Sequence, residues 1–395
     1  MPRVAIRASQ DIARLLRDRR AELNLTLRQA EERTRTFGKV IPFTTLSKVE
    51  QGKVDPGVVR FQQLLEVYDL PQQAALDIVA LETVRGPLPK GKDPELLYEA
   101  AVRLRKEGDN AQALSHLYAL KDLVGRDPKR VELRQKAQLQ LAVVVGALGR
   151  YHLSKQIIEG LLQERPAAPM VLRCLVQLAS CWERLRMPEL ALAALGRAEI
   201  HAAHSGGQER AWVAQERGLI ELSLGNHGEA QRHFEHARKL YKDAGDEQGT
   251  AKASFSLVRV LLSSGQAQAA VRAAHQLVQA MGTKATQRMR PEATVLLGLA
   301  HLGARDFENA LAALRTALAE AVSTDSATAR FLAHHYLAVA YGETGDKERA
   351  QAEQSAADQF RKYIDFVPDP VVFEGGKQRG KTERRSTGLH KGRRS

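Results

Sequence analysis

Residues 305–310 read RDFENA, and counterparts of that hexapeptide recur along most of the chain. GDNAQA (108–113), GRYHLS (149–154), RMPELA (186–191), GNHGEA (225–230), GQAQAA (265–270) and GDKERA (345–350) complete the set. Successive starts lie 41, 37, 39, 40, 40 and 40 residues apart. Twelve residues before the last position of a hexapeptide a small residue often stands: Ala101, Ala142, Ala179, Gly218, Gly298 or Ala338. Seven residues after that position comes Ala198, Ala237, Ala317 or Ala357. Small side chains at three fixed places let two antiparallel helices pack closely around a short turn. A fixed period says that such hairpins stack into a solenoid. The expected fold is all-α, with about seven helix pairs over residues 95–364.

The pattern resembles the tetratricopeptide repeat, whose turn RDFENA matches well. The period exceeds the roughly 34 residues of that family, which predicts lengthened second helices or inter-repeat loops. The resemblance implies a concave face, lined by the first helix of each pair, that binds an extended peptide or a helix. Counted from the small-residue anchors, that face presents Arg173, Gln177, Gln215, Lys252, Phe255, Arg259 and His335. Glutamine can bond a peptide backbone, and arginine or lysine can hold a carboxylate. The expected partner is a peptide or protein ligand.

Residues 16–53 read LRDRRAELNLTLRQAEERTRTFGKVIPFTTLSKVEQGK. Ile12, Leu15 and Leu16 form an apolar stripe at helical spacing. Thr26 stands three residues before Gln29, a capping box that starts a second helix running toward Phe37, with Gly38 as its stop. Pro42 suits the first residue of a third helix, whose Leu46 and Val49 point inward. Val59, Leu64, Leu65 and Val67 mark a fourth helix, and Leu70-Pro71 opens a fifth carrying Ala75, Ile78, Val79 and Leu81.

This ordering resembles the Xre-type, lambda-repressor-like helix-turn-helix family over roughly residues 9–82. The matching residues are Leu16-Arg17, Arg20, Leu25-Thr26, Leu46-Ser47-Lys48-Val49-Glu50, Gly52-Lys53 and Pro56. Two features depart from the family: Ala30-Glu31 replaces the usual Leu-Ala, and the stretch between Leu25 and Val49 is about five residues longer. The resemblance implies that the third helix enters the major groove of double-stranded DNA. Phe43, Thr44, Thr45, Ser47 and Lys48 then face base edges, while Arg28, Arg33, Lys39 and Lys53 are placed for phosphate. It also implies that Arg20 and Glu50 lie close together, and that two copies form a homodimer on a palindromic site.

Composition is consistent with this. The chain has 395 residues, 44% of them apolar and 27% charged, ordinary values for a globular protein. No apolar run is long enough to span a bilayer, and the basic N-terminus lacks a signal-peptide core, so the expected location is the cytoplasm. Net charge is +13, and it is concentrated at the two ends. Residues 1–60 hold thirteen basic and seven acidic residues; residues 377–395 hold eight basic residues and Glu383 alone among acids. Residues 61–376 are therefore neutral overall, and the basic ends form an electrostatic footprint suited to phosphate.

No P-loop, G-x-G-x-x-G or H-E-x-x-H motif occurs. Cys174 and Cys181, seven apart, read as small buried apolar side chains. The pairs His201/His204 and His233/His236 lack a third ligand at a workable spacing. No catalysis, metal or cofactor is expected. The expected organisation is a helix-turn-helix domain over 1–83, a linker over 84–94, the repeat domain over 95–364 and a basic disordered tail over 365–395. The same two modules occur in peptide-pheromone receptor regulators, which this architecture resembles. A non-catalytic scaffold, with the repeats binding a protein partner, is the alternative.

Overall fold

The computed structural model describes residues 10–361, apart from 85–87, 90, 92, 126, 204, 284–285 and 325, together with Val371. The expected tail apart from Val371, and part of the expected linker, lie outside those residues, as does His204. The described residues form nineteen α-helices with two short 3₁₀ turns and no strand. They divide into two compact units, residues 1–225 and 226–395.

The first unit opens with α1 (Gln10–Glu22), α2 (Leu27–Phe37), α3 (Phe43–Glu50), α4 (Gly57–Val67) and α5 (Gln72–Val84). The capping box forms as expected: Thr26 Oγ1 accepts the Gln29 N–H at 3.2 Å, and Gln29 Oε1 accepts the Thr26 N–H at 2.8 Å. Pro42 is the N-cap of α3 rather than its first residue. Its ψ of 143° is extended, while its carbonyl already accepts the Leu46 N–H at 3.0 Å. Leu16, Ala30, Ile41, Leu46, Val49, Leu64 and Tyr68 fill the centre of this bundle. Val59 does not join them; it is 79% exposed on α4.

The hairpins follow as α6 (Pro94–Lys106) with α7 (Asn110–Val124), α8 (Val131–Ala147) with α9 (Tyr151–Gln163), and α10 (Ala168–Arg184) with α11 (Pro188–Ala202). α12 (Gly207–Ser223) ends the first unit. The second unit begins with α13 (His227–Asp243) and continues with α14 (Glu247–Ser263) and α15 (Ala267–Ala280). Its last two pairs are α16 (Arg290–Gly303) with α17 (Phe307–Ser323), and α18 (Ala327–Glu343) with α19 (Lys347–Phe360).

The anchors explain why these helices pair. Ala113, Ser154, Ala191, Ala270 and Ala310 are fully buried, as are Ala198, Ala317 and Ala357 one or two turns on. On the facing helices Ala142 and Ala179 are likewise buried, and the Ser154 hydroxyl donates to the Ala142 carbonyl at 2.7 Å. At Gly298 a Cβ would lie 2.5 Å from Leu314 Cγ, so only glycine admits that side chain. The last pair departs from the pattern, with Ala338 half-buried and Leu337 and Ala340 in the core instead. The long period comes from the lengthened second helices expected, as in the 17-residue α13 and α17, and from the first helices too. Among the first helices, α8, α10, α12, α14 and α18 each run 17 residues.

Each in-pair turn pivots on one left-handed residue, the hexapeptide's first. Its φ is +80° at Gly108, +76° at Gly149, +73° at Gly265 and +85° at Gly345. Arg186 and Arg305 take the same place with φ of +61° and +60°, a conformation that strains any residue with a Cβ.

The bundle and the first hairpins share one core, which runs from Ile12 and Leu16 through Ile78 and Leu81 to Leu97, Leu114, Val144 and Leu153. Helix α5 packs on α9, and Asp77 supplies what the start of α9 lacks: its Oδ2 accepts the Leu153 N–H at 3.2 Å. Arg14 of α1 also pairs with Asp122 of α7.

Candidate functional site

The N-terminal bundle is held by one buried carboxylate. Glu50, at the end of α3, has a side chain 5% exposed. Arg20 Nε donates to Glu50 Oε1 at 2.8 Å and Nη2 to Oε2 at 2.9 Å, a bidentate grip. The Tyr68 hydroxyl donates to Oε1 at 2.8 Å, and Arg20 Nη1 to the Leu25 carbonyl at 2.7 Å. One ion pair thus ties α1, the loop before α2, α3 and the end of α4. The hydrogen bond to Glu50 raises the Arg20 pKa, and burial followed by the Glu50 charge raises that of Tyr68.

That clamp presents the outer face of α3. Phe43, Thr44 and Lys48 are exposed, and Thr45 and Ser47 are half-buried. Ser47 Oγ accepts from Gln51 Nε2 at 3.0 Å. Arg28, Lys39 and Lys53 are exposed near this face in sequence, and Arg33 is half-buried. The Arg28 guanidinium sits 5.7 Å from the Phe43 ring centroid, which joins a cation to an apolar contact residue.

The turn between α2 and α3 is pinned by side-chain hydrogen bonds. Gln63 of α4 is buried beneath it and donates to the Thr34 carbonyl at 2.9 Å and the Lys39 carbonyl at 2.8 Å. The Thr34 hydroxyl accepts the Ile41 N–H at 3.0 Å, and Ile41 is buried. Glu31 Oε2 accepts the Phe43 N–H at 3.3 Å.

The candidate ligand residues divide between the two units. In the first, Arg173 is exposed on α10 with its guanidinium 5.1 Å from the Trp212 ring centroid of α12. Gln177 is half-buried and turned inward, donating to Ser154 Oγ at 3.4 Å and lying against Gly146. Gln215 is half-buried on α12. In the second unit, Lys252 is exposed, while Phe255 and Arg259 are half-buried on one face of α14. His335 of α18 is committed to packing. It stacks on Phe331 at 6.1 Å and meets Tyr336 edge-on at 5.1 Å. Burial, then the Arg361 charge, holds its imidazole below the ordinary range. Gln177 and His335 are thus both half-buried and packed against neighbouring side chains.

No protein-family model matches the chain, and no curated protein does. Solved structures do. A Rap protein complexed with Competence and Sporulation Factor superposes with a TM-score of 0.57 at 16% identity, over 91% of this chain and 94% of that one. Aspartyl phosphate phosphatase F from Bacillus subtilis gives 0.52 at 14% identity, over 93% of this chain and 94% of its own. The apo form of RapI gives 0.52 at 12% identity, over 68% and 97%. The chain has the all-helical repeat fold of these proteins.

Several polar residues on the first helices escape sequence reasoning. Trp212 stands in the same helical register as Arg173 and Lys252, each the sixth residue of its helix, and the repeat spacing points to it. Glu164 gathers Arg134, Gln135 and Gln138 of α8 at 3.0, 3.4 and 3.2 Å. Glu292 accepts the Ser326 hydroxyl at 2.8 Å, and burial pushes its carboxyl up. Cys174 and Cys181 are free thiols, both buried, and burial raises the Cys174 pKa to about 12. Among the described residues no group of three or more His, Cys, Asp or Glu could hold a metal ion, and no helix is long and apolar enough to cross a membrane.

Proposed function

We propose that this chain is a sequence-specific DNA-binding regulator of the Xre type whose helical repeats receive a peptide or protein signal. The observation that carries the reading is the Arg20–Glu50–Tyr68 clamp, which fixes α3 with Phe43, Thr44 and Lys48 outward and basic residues around them. A short helix held rigidly against its support, with small polar and apolar side chains at its N-terminal end, is suited to base edges in the major groove. Phe43, Thr44, Thr45, Ser47 and Lys48 read bases; Arg28, Arg33, Lys39 and Lys53 meet phosphate. Two copies bind a two-fold site, and the protein acts without catalysis, metal or cofactor, in the cytoplasm.

For the signal, support comes from the Rap protein of the same fold, complexed with Competence and Sporulation Factor. Arg173 with Trp212 in one unit, and Lys252 with Arg259 in the other, offer cations to ligand carboxylates. A ligand then alters DNA binding through its different affinity for two conformations of the protein.

A second reading has its own support. The Rap protein and aspartyl phosphate phosphatase F superpose over more than nine-tenths of this chain, the N-terminal bundle included, and neither is named for DNA; on this reading the chain is a scaffold that meets a protein partner. Selection of duplexes from a random library by the full-length protein separates the two. Recovery of a common sequence, bound with a steep salt dependence, sustains the regulator. No enrichment, and binding that stays at background at low salt, favours the scaffold.

A further inference from the structure

Resting on the DNA-binding reading, we infer that the lengthened turn between α2 and α3 is a second reading element, contacting the 5-methyl groups of thymine beside the bases met by α3. Three apolar side chains stand exposed within seven residues here: Phe37 at 40%, Val40 at 45% and Phe43 at 39%. A surface turn of this length normally carries polar residues, and a cluster of exposed apolar ones marks a binding surface.

The turn is also stiffer than an unused loop needs to be. Gln63 holds it from below at two carbonyls, and Ile41 plugs it into the core. Gly38, at φ +148°, closes over the Gln63 amide, where a Cβ would meet that amide at 3.3 Å. Val40 is thereby set outward, just ahead of buried Ile41 and the α3 N-cap Pro42. Ordering the backbone costs conformational entropy, so a fixed apolar projection is poised for contact before any partner arrives.

Charge selects the occupant. Lys39 flanks Val40, Arg28 lies over Phe43, and Lys48 and Lys53 follow on α3 and just beyond it, all exposed. Apolar atoms set among cations suit a polyanion that carries methyl groups in its groove. Thymine supplies those methyls, and uracil at the same place lacks them with the base pair unchanged. Gln63 is the positioning residue; it does not touch DNA itself.

The test uses the full-length protein and the duplex it selects from a random library. Each thymine is replaced singly by deoxyuridine, and affinities are measured for the wild type, V40S, F37S, Q63M and F43S, the last assigning the thymines sensed through Phe43. V322S, an exposed apolar site on the repeats, is the control. At one or more thymines outside those sensed through Phe43, uracil weakens wild-type binding about fourfold, the worth of one buried methyl. V40S or F37S binds thymine and uracil duplexes alike at that position, Q63M blurs the distinction, and V322S keeps it. Equal thymine-to-uracil ratios for wild type, V40S and F37S would overturn the inference while leaving DNA binding intact. So would a loss of self-association in V40S, which would make the patch a contact between copies. Failure to select any duplex would instead defeat the DNA-binding reading itself.

Discussion

Arg20 and Glu50, thirty residues apart in sequence, meet as a bidentate ion pair that is almost wholly removed from water on the carboxylate side. The pair crosses from the first helix of the bundle to the last residue of the third. Arg20 bonds both Glu50 oxygens, and the Tyr68 hydroxyl adds a neutral donor at Oε1.

Removing one partner strands the other. Arg20→Ala is expected to cost about 3–5 kcal/mol, because it leaves a buried charge with one neutral donor. Tyr68→Phe removes a donor to a charged acceptor that keeps its ion pair, and about 1.5–3 kcal/mol is expected. Adding Glu50→Gln to Arg20→Ala should recover part of the loss. Urea melts of the four proteins decide it, and an Arg20→Ala protein that melts with wild type would show the clamp to be idle.

The turns make an independent prediction. Arg186 pays for a left-handed backbone that glycine adopts freely. The strain is about 1–2 kcal/mol, and glycine's extra entropy in the unfolded chain takes back about 0.5–1 kcal/mol. Arg186→Gly should therefore stabilise by about 0.5–1 kcal/mol, and Gly345→Arg should destabilise by a similar amount. Opposite signs in thermal melts would mean that side-chain contacts, not backbone conformation, choose the residue at this turn.

Asp77 predicts a pH dependence. Burial holds its carboxyl above the ordinary range, against the opposing hydrogen bond from Leu153. The folded protein therefore keeps this proton at pH values where the unfolded chain has released it. Stability from this site is greatest below the unfolded carboxyl's pKa, near 3.9, and falls as pH rises through the elevated folded value. Asp77→Asn keeps an acceptor for the Leu153 amide and has no charge to bury. Its urea midpoint should decline less than wild type's between acid and neutral pH; parallel curves would remove Asp77 as the cause.

On DNA, reading and holding should separate. Lys48→Ala or Thr44→Ala should lower preference for the selected sequence by about 1–3 kcal/mol per base contact. Arg33→Ala and Lys39→Ala should weaken all duplexes alike and flatten the salt slope. If Lys48→Ala weakens selected and random duplexes equally, Lys48 belongs with the phosphate contacts.

What could be read from the sequence was what local spacing dictates. The Thr26–Gln29 box, the period of the hairpins and the buried alanines all follow from residue type at a fixed offset. What could not be read depends on tertiary partners. Gln177 looks like a surface amide until Ser154 and Gly146 are seen beside it. His335 looks available until Phe331 lies against it. Val59 fits the apolar count of α4 yet points outward, because Leu64, Leu65 and Val67 already fill the interior. Gln63 gave no signal at all, since the carbonyls it holds lie across the bundle on Thr34 and Lys39.

The core that runs unbroken from α1 into the second hairpin limits how this protein can be recombined. Exchange of residues 1–83 onto foreign repeats would take the Leu153 amide from Asp77 and uncover Ile78 and Leu81. The smallest piece that keeps this core whole is therefore the five-helix bundle together with α6 to α9. A crossover placed nearer the N-terminus than that yields a chain that is in frame but misassembled.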